Sequence, residues 1–351
     1  MATKTPTSAT AALDLDVVLK GVLGSIERER EREIVARRFG LYDRKETLEQ
    51  IGELLGITRE RVRQLEKVVV TRLKATANND KLPQIKDVET AILDILAQNG
   101  NAMRVSEIAG LLTKDGNKID QARISFLAEL SPAISVIEES DHFYNAVGTR
   151  KVHDEKKMRE LTNKIVEAVK TIGKPTDIKS IANQIGDEDF SHVAALASIS
   201  KHLAELNGRW GLTKWPMVNP KNIRDKIYVI LHENGKHMHF NEIAEAIRIS
   251  DFKRKDVTTQ AIHNELIKDK RFVLIGRGIY ALQEWGYKKG TVADMITEVL
   301  IEAGEPLHRD EIVKRVLKSR HVKETTILLN LQGKPQFKRV AKATYTLAEA
   351  A

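Results

Sequence analysis

A glycine followed eight residues later by an isoleucine occurs four times in this chain, and this repeat constrains the fold more than any other feature. An amphipathic helical pattern precedes each glycine, and a second short helical pattern contains each isoleucine. Self-similarity at a regular period indicates repeated copies of one small unit. The pairs are Gly100 and Ile108, Gly173 and Ile181, Gly235 and Ile243, and Gly304 and Ile312.

Each copy continues with a third helical pattern and ends in a β-like segment. The clearest such segment is RFVLIGRGIYALQEW, where two apolar strands flank the turn at 276–278. Three helices followed by a two-stranded hairpin make a winged helix-turn-helix. The copies begin about 60 to 75 residues apart, which suits one such unit and a short linker. The sequence therefore predicts four winged helices, at residues 86–150, 156–218, 222–286 and 290–349.

Ahead of the repeats, the run from Thr47 to Glu66 predicts two short helices around a tight turn at Gly56. At about 100° per residue, one side of the second helix is apolar and can pack on the first helix. The apolar side carries Val62, Leu65, Val69 and Leu73, and the polar side carries Arg59, Glu60, Arg63, Gln64 and Lys67. Arginine suits guanine, glutamine suits adenine and glutamate suits cytosine, so this polar side is a candidate for reading base edges.

Residues 26–76 resemble the C-terminal region of sigma-70-type bacterial sigma factors, which reads the promoter −35 element. The resemblance depends on REREIVARRFGL, on TLEQIGELLGITRERVRQLEKVVVTRLK and on the spacing between them. It implies base contacts from Arg59, Glu60, Arg63 and Gln64, and phosphate contacts near Thr58, Arg61 and Lys67. The alternative is a solvated helix face, because charged helical surfaces are common.

The 25 residues before this region are polar at their start, and we expect residues 1–25 to be a disordered tail. They are too few to hold the sigma regions that bind the polymerase clamp and open the −10 element. By the resemblance, the chain is therefore expected to read DNA without melting a promoter.

Residues 222–286 resemble the HARE-HTH winged helix through MHFNEIAEAI and RFVLIGRGIYALQEWG. That family includes the N-terminal domain of the RNA polymerase delta subunit. Residues 290–349 resemble a diverged relative through GEPLHRDEIVKRV and FKRVAKATYTLAE. The resemblance implies either DNA binding through third helices and wings or docking on RNA polymerase. The candidate phosphate contacts are Arg277, Lys314, Arg315, Lys318 and Arg320, with Lys253, Arg254 and Lys255 in a loop before a third helix.

The first two copies are as readily spacers as DNA-binding units. Their third helical patterns, IDQARISFLAEL and SHVAALASISKHLAEL, hold few of the lysines and arginines that phosphate contacts need.

Composition and motifs argue against an enzyme. The chain has 351 residues, no cysteine, a net charge of +8 and no apolar run approaching a membrane span. His237 and His239 lack an evident third metal ligand. The turn at 276–278 lacks the Lys-Ser/Thr of a phosphate loop, and the acidic residues 187–189 are better explained as a surface loop. We expect no catalytic residue, metal, cofactor or small-molecule substrate.

The sequence thus predicts a mainly α protein with small β-hairpin wings, made of a sigma region 4-like helix-turn-helix and a tandem array of four winged helices. The predicted function is sequence-specific transcription regulation, with promoter −35-like double-stranded DNA and RNA polymerase as partners, in the cytoplasm at the nucleoid. Two alternatives stay open. One is a polymerase accessory subunit or sigma competitor that acts by protein contact, and the other is the DNA-recognition component of a modification or restriction system.

Overall fold

The computed structural model describes residues 14–79, 81–252, 254, 256–287 and 290–348. The chain divides into two compact units, residues 1–214 and 215–351. Helices dominate both units, and the strands form small antiparallel sheets. Within the described ranges, no helix combines the length and apolar character that crossing a membrane requires.

The first unit begins with four helices: α1 (Leu15–Gly24), α2 (Glu29–Phe39), α3 (Leu48–Leu55) and α4 (Arg59–Asn78). Helix α1 corrects the expectation of a disordered tail over residues 1–25, of which 1–13 lie outside the described residues. The Asp14 carboxylate caps α1 by accepting the backbone N–H groups of Asp16 and Val17 at 3.0 and 3.3 Å. Leu19 and Val22 are fully buried, so this segment is part of the core.

Four repeats of one topology follow, each in the order helix, strand, helix, helix, strand, strand. Repeat 1 consists of α5 (Pro83–Gln98), β1 (Ala102–Arg104), α6 (Val105–Leu112), α7 (Lys118–Leu130), β2 (Ile134–Ile137) and β3 (Ala146–Thr149). Repeat 2 consists of α8 (Glu155–Ile172), β4 (Thr176–Asp177), α9 (Ile178–Ile185), α10 (Phe190–Ile199), β5 (Leu203–Leu206) and β6 (Arg209–Leu212).

The second unit holds the other two repeats. Repeat 3 consists of α11 (Ile223–Asn234), β7 (Met238–His239), α12 (Phe240–Ile249), α13 (Thr259–Lys268), β8 (Phe272–Gly276) and β9 (Ile279–Leu282). Repeat 4 consists of α14 (Val292–Ala303), β10 (Leu307–His308), α15 (Arg309–Ser319), α16 (Glu324–Gly333), β11 (Phe337–Ala341) and β12 (Thr344–Leu347).

Each repeat closes a three-stranded antiparallel sheet in which its last strand lies between the other two. The first strand of each sheet, only two or three residues long, was not predicted from the sequence. The repeated glycine and isoleucine have clear structural roles. The glycine follows the first helix with a positive φ, which a residue without Cβ adopts readily. The isoleucine lies in the second helix and is fully buried in all four repeats.

One continuous hydrophobic core joins the leading helices of the first unit to repeat 1. It contains Leu19 of α1, Leu73 from the second half of α4, and Ile92, Ile108 and Phe126 of repeat 1. The Phe126 ring lies 4.7 Å, between centroids, from the ring of Phe39 at the end of α2. The leading helices and repeat 1 are therefore packed together through their apolar side chains.

Candidate nucleic-acid interface

Local hydrogen bonds define the helix-turn-helix formed by α3 and α4. The Thr47 hydroxyl accepts the Gln50 backbone N–H at 3.3 Å, and the Gln50 side chain accepts the Thr47 N–H at 2.9 Å. This reciprocal pair satisfies two donors at the start of α3. Helix α3 ends at Gly56, whose φ of 63° is left-handed. The Thr58 hydroxyl then accepts the Arg61 N–H at 3.2 Å and starts α4.

A small core fixes the angle between the two helices. Ile34 of α2, Ile51 of α3 and Val62 of α4 are fully buried together. Helix α3 and the turn approach closely at Gly52, where an added Cβ would lie 2.7 Å from the Ile57 carbonyl oxygen. Because α3 is held in this way, the opposite side of the first half of α4 faces solvent.

The four predicted base-reading residues, Arg59, Glu60, Arg63 and Gln64, lie together on this exposed side of α4. They already bind one another or a neighbour. The Arg63 Nε and Nη2 donate to the two Glu60 carboxylate oxygens at 2.9 and 2.6 Å. This pairing lowers the pKa of Glu60 and raises the pKa of Arg63. Arg59 Nη1 donates to Glu49 Oε1 at 2.6 Å.

The reading side is thus largely neutralised within the protein, and a base edge that accepts from both Nε and Nη2 of Arg63 must replace Glu60. Both side chains are more than half exposed, so the exchange needs no rearrangement of the core. Exposed ion pairs are weak because water screens them and their long side chains lose entropy. The arrangement favours a bidentate acceptor, such as the guanine edge, over a single charge.

The three candidate phosphate contacts near the turn differ in their surroundings. The Thr58 hydroxyl is engaged as the cap of α4. Arg61 Nη1 donates to Gln64 Oε1 at 3.3 Å. Lys67 is exposed and lies along a groove, whose lining also includes Arg38, Lys45, Arg63, Glu66, Lys74, Glu129 and Glu138.

Two ion pairs that position α4 were not predicted from the sequence. Arg38 of α2 donates to Glu66 at 3.3 Å, and Arg72 donates to Glu31 at 2.7 Å. Glu31 is buried although it belongs to a run of alternating charges that is typical of a solvated helix. Only the tertiary contact between α2 and α4 distinguishes it from its neighbours.

In the second unit, the candidate phosphate residues are not equivalent. Arg277 is exposed in the turn between β8 and β9, and Lys314 and Lys318 are exposed on α15. Arg315 Nε donates to Glu311 at 2.7 Å. Arg320 is half-buried and donates to the Gly290 carbonyl, and burial lowers its pKa. Arg315 and Arg320 are therefore less accessible than the other three.

The basic residues of repeat 4 do not lie on its third helix, the element through which a winged helix is expected to bind DNA. Lys314, Arg315 and Lys318 belong to α15, the second helix of the repeat, whereas the third helix α16 (ETTILLNLQG) contains no lysine or arginine. In repeat 3, Lys253 and Lys255 lie outside the described residues, and Arg254 is exposed.

The third helix of repeat 1, α7, is covered by the leading helices. Beyond Lys118, none of its residues is exposed. Arg123 donates to the Leu41 carbonyl and to the Asp16 carboxylate, both at 2.9 Å, and Glu129 accepts from Lys74 at 3.0 Å. This helix has no free side with which to enter a DNA groove.

The third helix of repeat 2, α10, is covered in turn by repeat 1. No residue of α10 after Ser191 is exposed. His192 Nδ1 donates to the Gly100 carbonyl at 2.7 Å, and the Nε2 atoms of His192 and His153 lie 3.0 Å apart. A Cβ on Gly100 would lie 2.3 Å from the Ser191 carbonyl oxygen, so this contact is close.

The third helices of the second unit keep a solvent-facing side. On α13, Ile262 and Leu266 are buried, while Gln260, Asn264 and Lys268 are exposed at four-residue spacing. On α16, Ile327 and Leu331 are buried, and Thr325 and Leu329 are exposed. Of the four repeats, the two in the second unit are the ones whose third helices could meet a partner.

The other features considered for chemistry have structural roles. His239 caps α12 together with Glu242, and the rings of His237 and His321 lie 4.5 Å apart, between centroids. In the acidic segment 187–189, Asp189 caps α10. Among the residues that the structure describes, no group of three or more histidines and carboxylates could hold a metal ion.

The geometry of α2 to α4 is that of a DNA-binding helix-turn-helix, and comparison with known proteins identifies its family. Residues 28–75 match the family model Sigma-70, region 4, within the 26–76 expected from the sequence. This part of the chain is a sigma-70 region 4 domain.

Similar curated proteins are sigma factors over this part of the chain. RNA polymerase sigma factor sigB of Arabidopsis thaliana is 44% identical over 72 residues, which is 20% of this chain and 12% of the relative. SigA of Bacillus sp is 39% identical over 79 residues, or 22% and 21% of the two chains. SigA1 of Synechococcus elongatus is 39% identical over 82 residues, or 23% and 20%. The matches thus span about a fifth or less of these relatives.

Proposed function

We propose that this protein is a sequence-specific DNA-binding transcription factor that reads a promoter −35-like element through α4. One observation supports this more than any other. In a sigma-70 region 4 domain, the four polar side chains suited to base edges share one exposed helix side, and the opposite side is buried. Because of the resemblance to sigma factors, the proposal includes RNA polymerase as a partner. It places the protein at the nucleoid and assigns it no catalytic activity.

We further propose that the four repeats are winged helices with different tasks. Repeat 1 holds the region 4 domain through a shared core, and repeat 2 packs on repeat 1, since the third helices of both are buried within the first unit. Repeats 3 and 4, which resemble HARE-HTH domains, grip DNA or RNA polymerase with the exposed sides of α13 and α16 and with their hairpins. The same chain would then combine a sequence-specific DNA-binding helix with a less specific binding surface.

In this proposal, Arg63 exchanges one hydrogen-bond partner for another when DNA binds. On binding, Arg63 leaves the Glu60 carboxylate and donates both hydrogen bonds to a guanine edge, and Glu60 becomes free to accept from a cytosine amino group. Because the original pair is exposed and screened, the base contact dominates the balance. Arg63→Ala should reduce affinity for the intact element about 5- to 150-fold and leave affinity for scrambled DNA nearly unchanged.

The test is a titration of the full chain against a fluorescent duplex carrying TTGACA and against a scrambled duplex, at two salt concentrations. Lys170→Ala is the matched control, because Lys170 also forms an exposed i,i+3 ion pair, with Glu167 at 2.6 Å, on a helix outside the reading site. A preference for TTGACA that Arg63→Ala removes and Lys170→Ala retains would support the proposal. Equal binding of both duplexes by the wild type would refute −35 reading.

The second candidate is an RNA polymerase accessory subunit or sigma competitor that acts by protein contact. It is favoured by the similarity to proteins that are RNA polymerase sigma factors. Co-purification of polymerase with the chain after nuclease treatment would support direct contact. Loss of all polymerase after nuclease treatment would leave DNA as the only link.

A further inference from the structure

Four exposed basic residues lie in and just before the hairpin of repeat 4, and none of them is among the candidate phosphate contacts named above: Lys334, Lys338, Arg339 and Lys342. Strand β11 lies at the edge of its sheet, paired on one side only, with β12. Phe337 is buried at its start, and Lys338, Arg339 and Val340 are exposed. Lys342 is exposed in the turn that leads to β12, and Lys334 is exposed before β11.

These cations are not neutralised by carboxylates nearby. The sequence from Lys334 to Ala348 contains no aspartate or glutamate, and Glu349 lies outside the described residues. Among the described residues, Lys334, Lys338, Arg339 and Lys342 form no ion pair. The Arg339 Nε donates to the Ala341 carbonyl at 3.1 Å, which leaves its Nη atoms for a partner.

Charge within repeat 4 is strongly segregated along the chain. Residues 290–313 hold six carboxylates and one arginine, whereas residues 314–348 hold nine lysines and arginines and one glutamate. The corresponding hairpin of repeat 1 has the opposite sign, because Glu138, Glu139 and Asp141 lie between β2 and β3. A basic hairpin is thus a property of this repeat and not of the repeated topology.

We propose that Lys338, Arg339 and Lys342 form a contact surface for the phosphate backbone of double-stranded DNA. The inference rests on the proposed DNA-binding function and gives repeat 4 a sequence-independent part in it. At about 3.3 Å per residue, the step from Lys338 to Lys342 covers at most about 13 Å. That length passes about four phosphates of one DNA strand, which are spaced at about 3.4 Å along the axis.

Protection of a free sheet edge is the simpler explanation for lysine on such a strand, since charge there blocks pairing with another chain. The two explanations differ in what salt does. A protein that neutralises phosphates releases counterions, so the logarithm of its binding constant falls with the logarithm of salt by about 0.9 per contact. Edge protection makes no contribution to that slope.

The experiment measures binding of the full chain to a scrambled duplex over a series of salt concentrations. The test variant combines Lys338→Gln, Arg339→Gln and Lys342→Gln. The matched control combines Lys156→Gln, Lys164→Gln and Lys170→Gln, which remove the same charge from exposed positions on α8. Melting curves of both variants establish that they are folded, and the single variant Lys338→Gln serves as a second measure.

We expect the salt slope of the test variant to be smaller in magnitude by about 2.7, and that of Lys338→Gln by about 0.9. The control should change the slope by less than about 0.9, because no phosphate contact is assigned to α8. A test variant with the wild-type slope, or with the slope of the control, would overturn the proposal. Loss of polymerase capture with an unchanged DNA slope would also overturn it and would assign the hairpin to a protein partner. Because the duplex is scrambled, the result is independent of −35 reading by Arg63.

Discussion

Truncation of Phe126 tests whether repeat 1 and the region 4 domain share one core. Phe126 is fully buried, and its ring packs on Phe39 at the end of α2. Phe126→Ala removes the six ring carbons from this contact, and such a truncation in a packed core costs about 3–5 kcal/mol. In a unit of this size, each kcal/mol lowers the melting temperature by about 2–4 °C, so the expected loss is about 6–20 °C.

Amide hydrogen exchange can distinguish one shared core from two separate cores that merely touch. If the core is shared, Phe126→Ala speeds exchange about a hundredfold or more both in α7 and around Val69 and Leu73 of α4. Phe190→Ala is the control, since Phe190 is 37% exposed in the same unit and its loss should cost at most about 1 kcal/mol. Faster exchange in α7 with unchanged exchange in α4 would refute the shared core and the holding role of repeat 1.

Two further predictions concern single groups in the first unit. Burial, with the neighbouring His192 and Lys157, lowers the pKa of His153 below 6.5, against a smaller opposing effect of Asp187 and Asp154. The unfolded chain therefore protonates His153 more readily than the folded chain does, so stability falls as the pH drops below about 6.5. His153→Gln should reduce this loss of stability, measured as the change in melting temperature between about pH 8 and pH 5. Gly52→Ala places a Cβ 2.7 Å from the Ile57 carbonyl and should destabilise the helix-turn-helix by about 1–3 kcal/mol. Gly110→Ala, in a helix with open space around it, should instead stabilise the protein by about 0.5–1 kcal/mol in urea unfolding. Equal effects of the two glycine variants would contradict the close approach of α3 to the turn.

The helix-turn-helix was predictable from sequence because its determinants are local. The caps at Thr47 and Thr58, the turn at Gly56 and the buried positions Ile51 and Val62 all lie within one short stretch. Helix α1 was missed although its apolar residues recur at helical spacing from Leu15 to Leu23. The polar residues before it suggested a tail, and only packing against α5 and α7 fixes its state.

Other features depended on partners that are distant in sequence. The first strand of each repeat is too short to show a pattern, and it exists because the last strand of the repeat pairs with it. The basic hairpin of repeat 4 did carry a signal, since KPQFKRVAK lacks any carboxylate. The predicted phosphate contacts of repeat 4 were instead Lys314, Arg315, Lys318 and Arg320, and the first three of these lie on its second helix, α15. The roles of the individual DNA-contact residues stay predictions.

The amino-acid composition of the third helix explains why this helix is buried in repeat 2 and partly exposed in repeat 3, although the two repeats share one topology. Helix α10, FSHVAALASI, is apolar or small on all sides after its first turn, and a helix of that kind is stable only when it is surrounded. Helix α13, TQAIHNELIK, places Ile262 and Leu266 on one side and Gln260 and Asn264 on the other, so it can bury one side and present the other. The residues of α10 therefore require that it be buried, which repeat 1 and the other helices of repeat 2 accomplish. It follows that polar substitutions on α10 should damage the first unit itself, whereas substitutions of Gln260 or Asn264 should change only what the second unit binds.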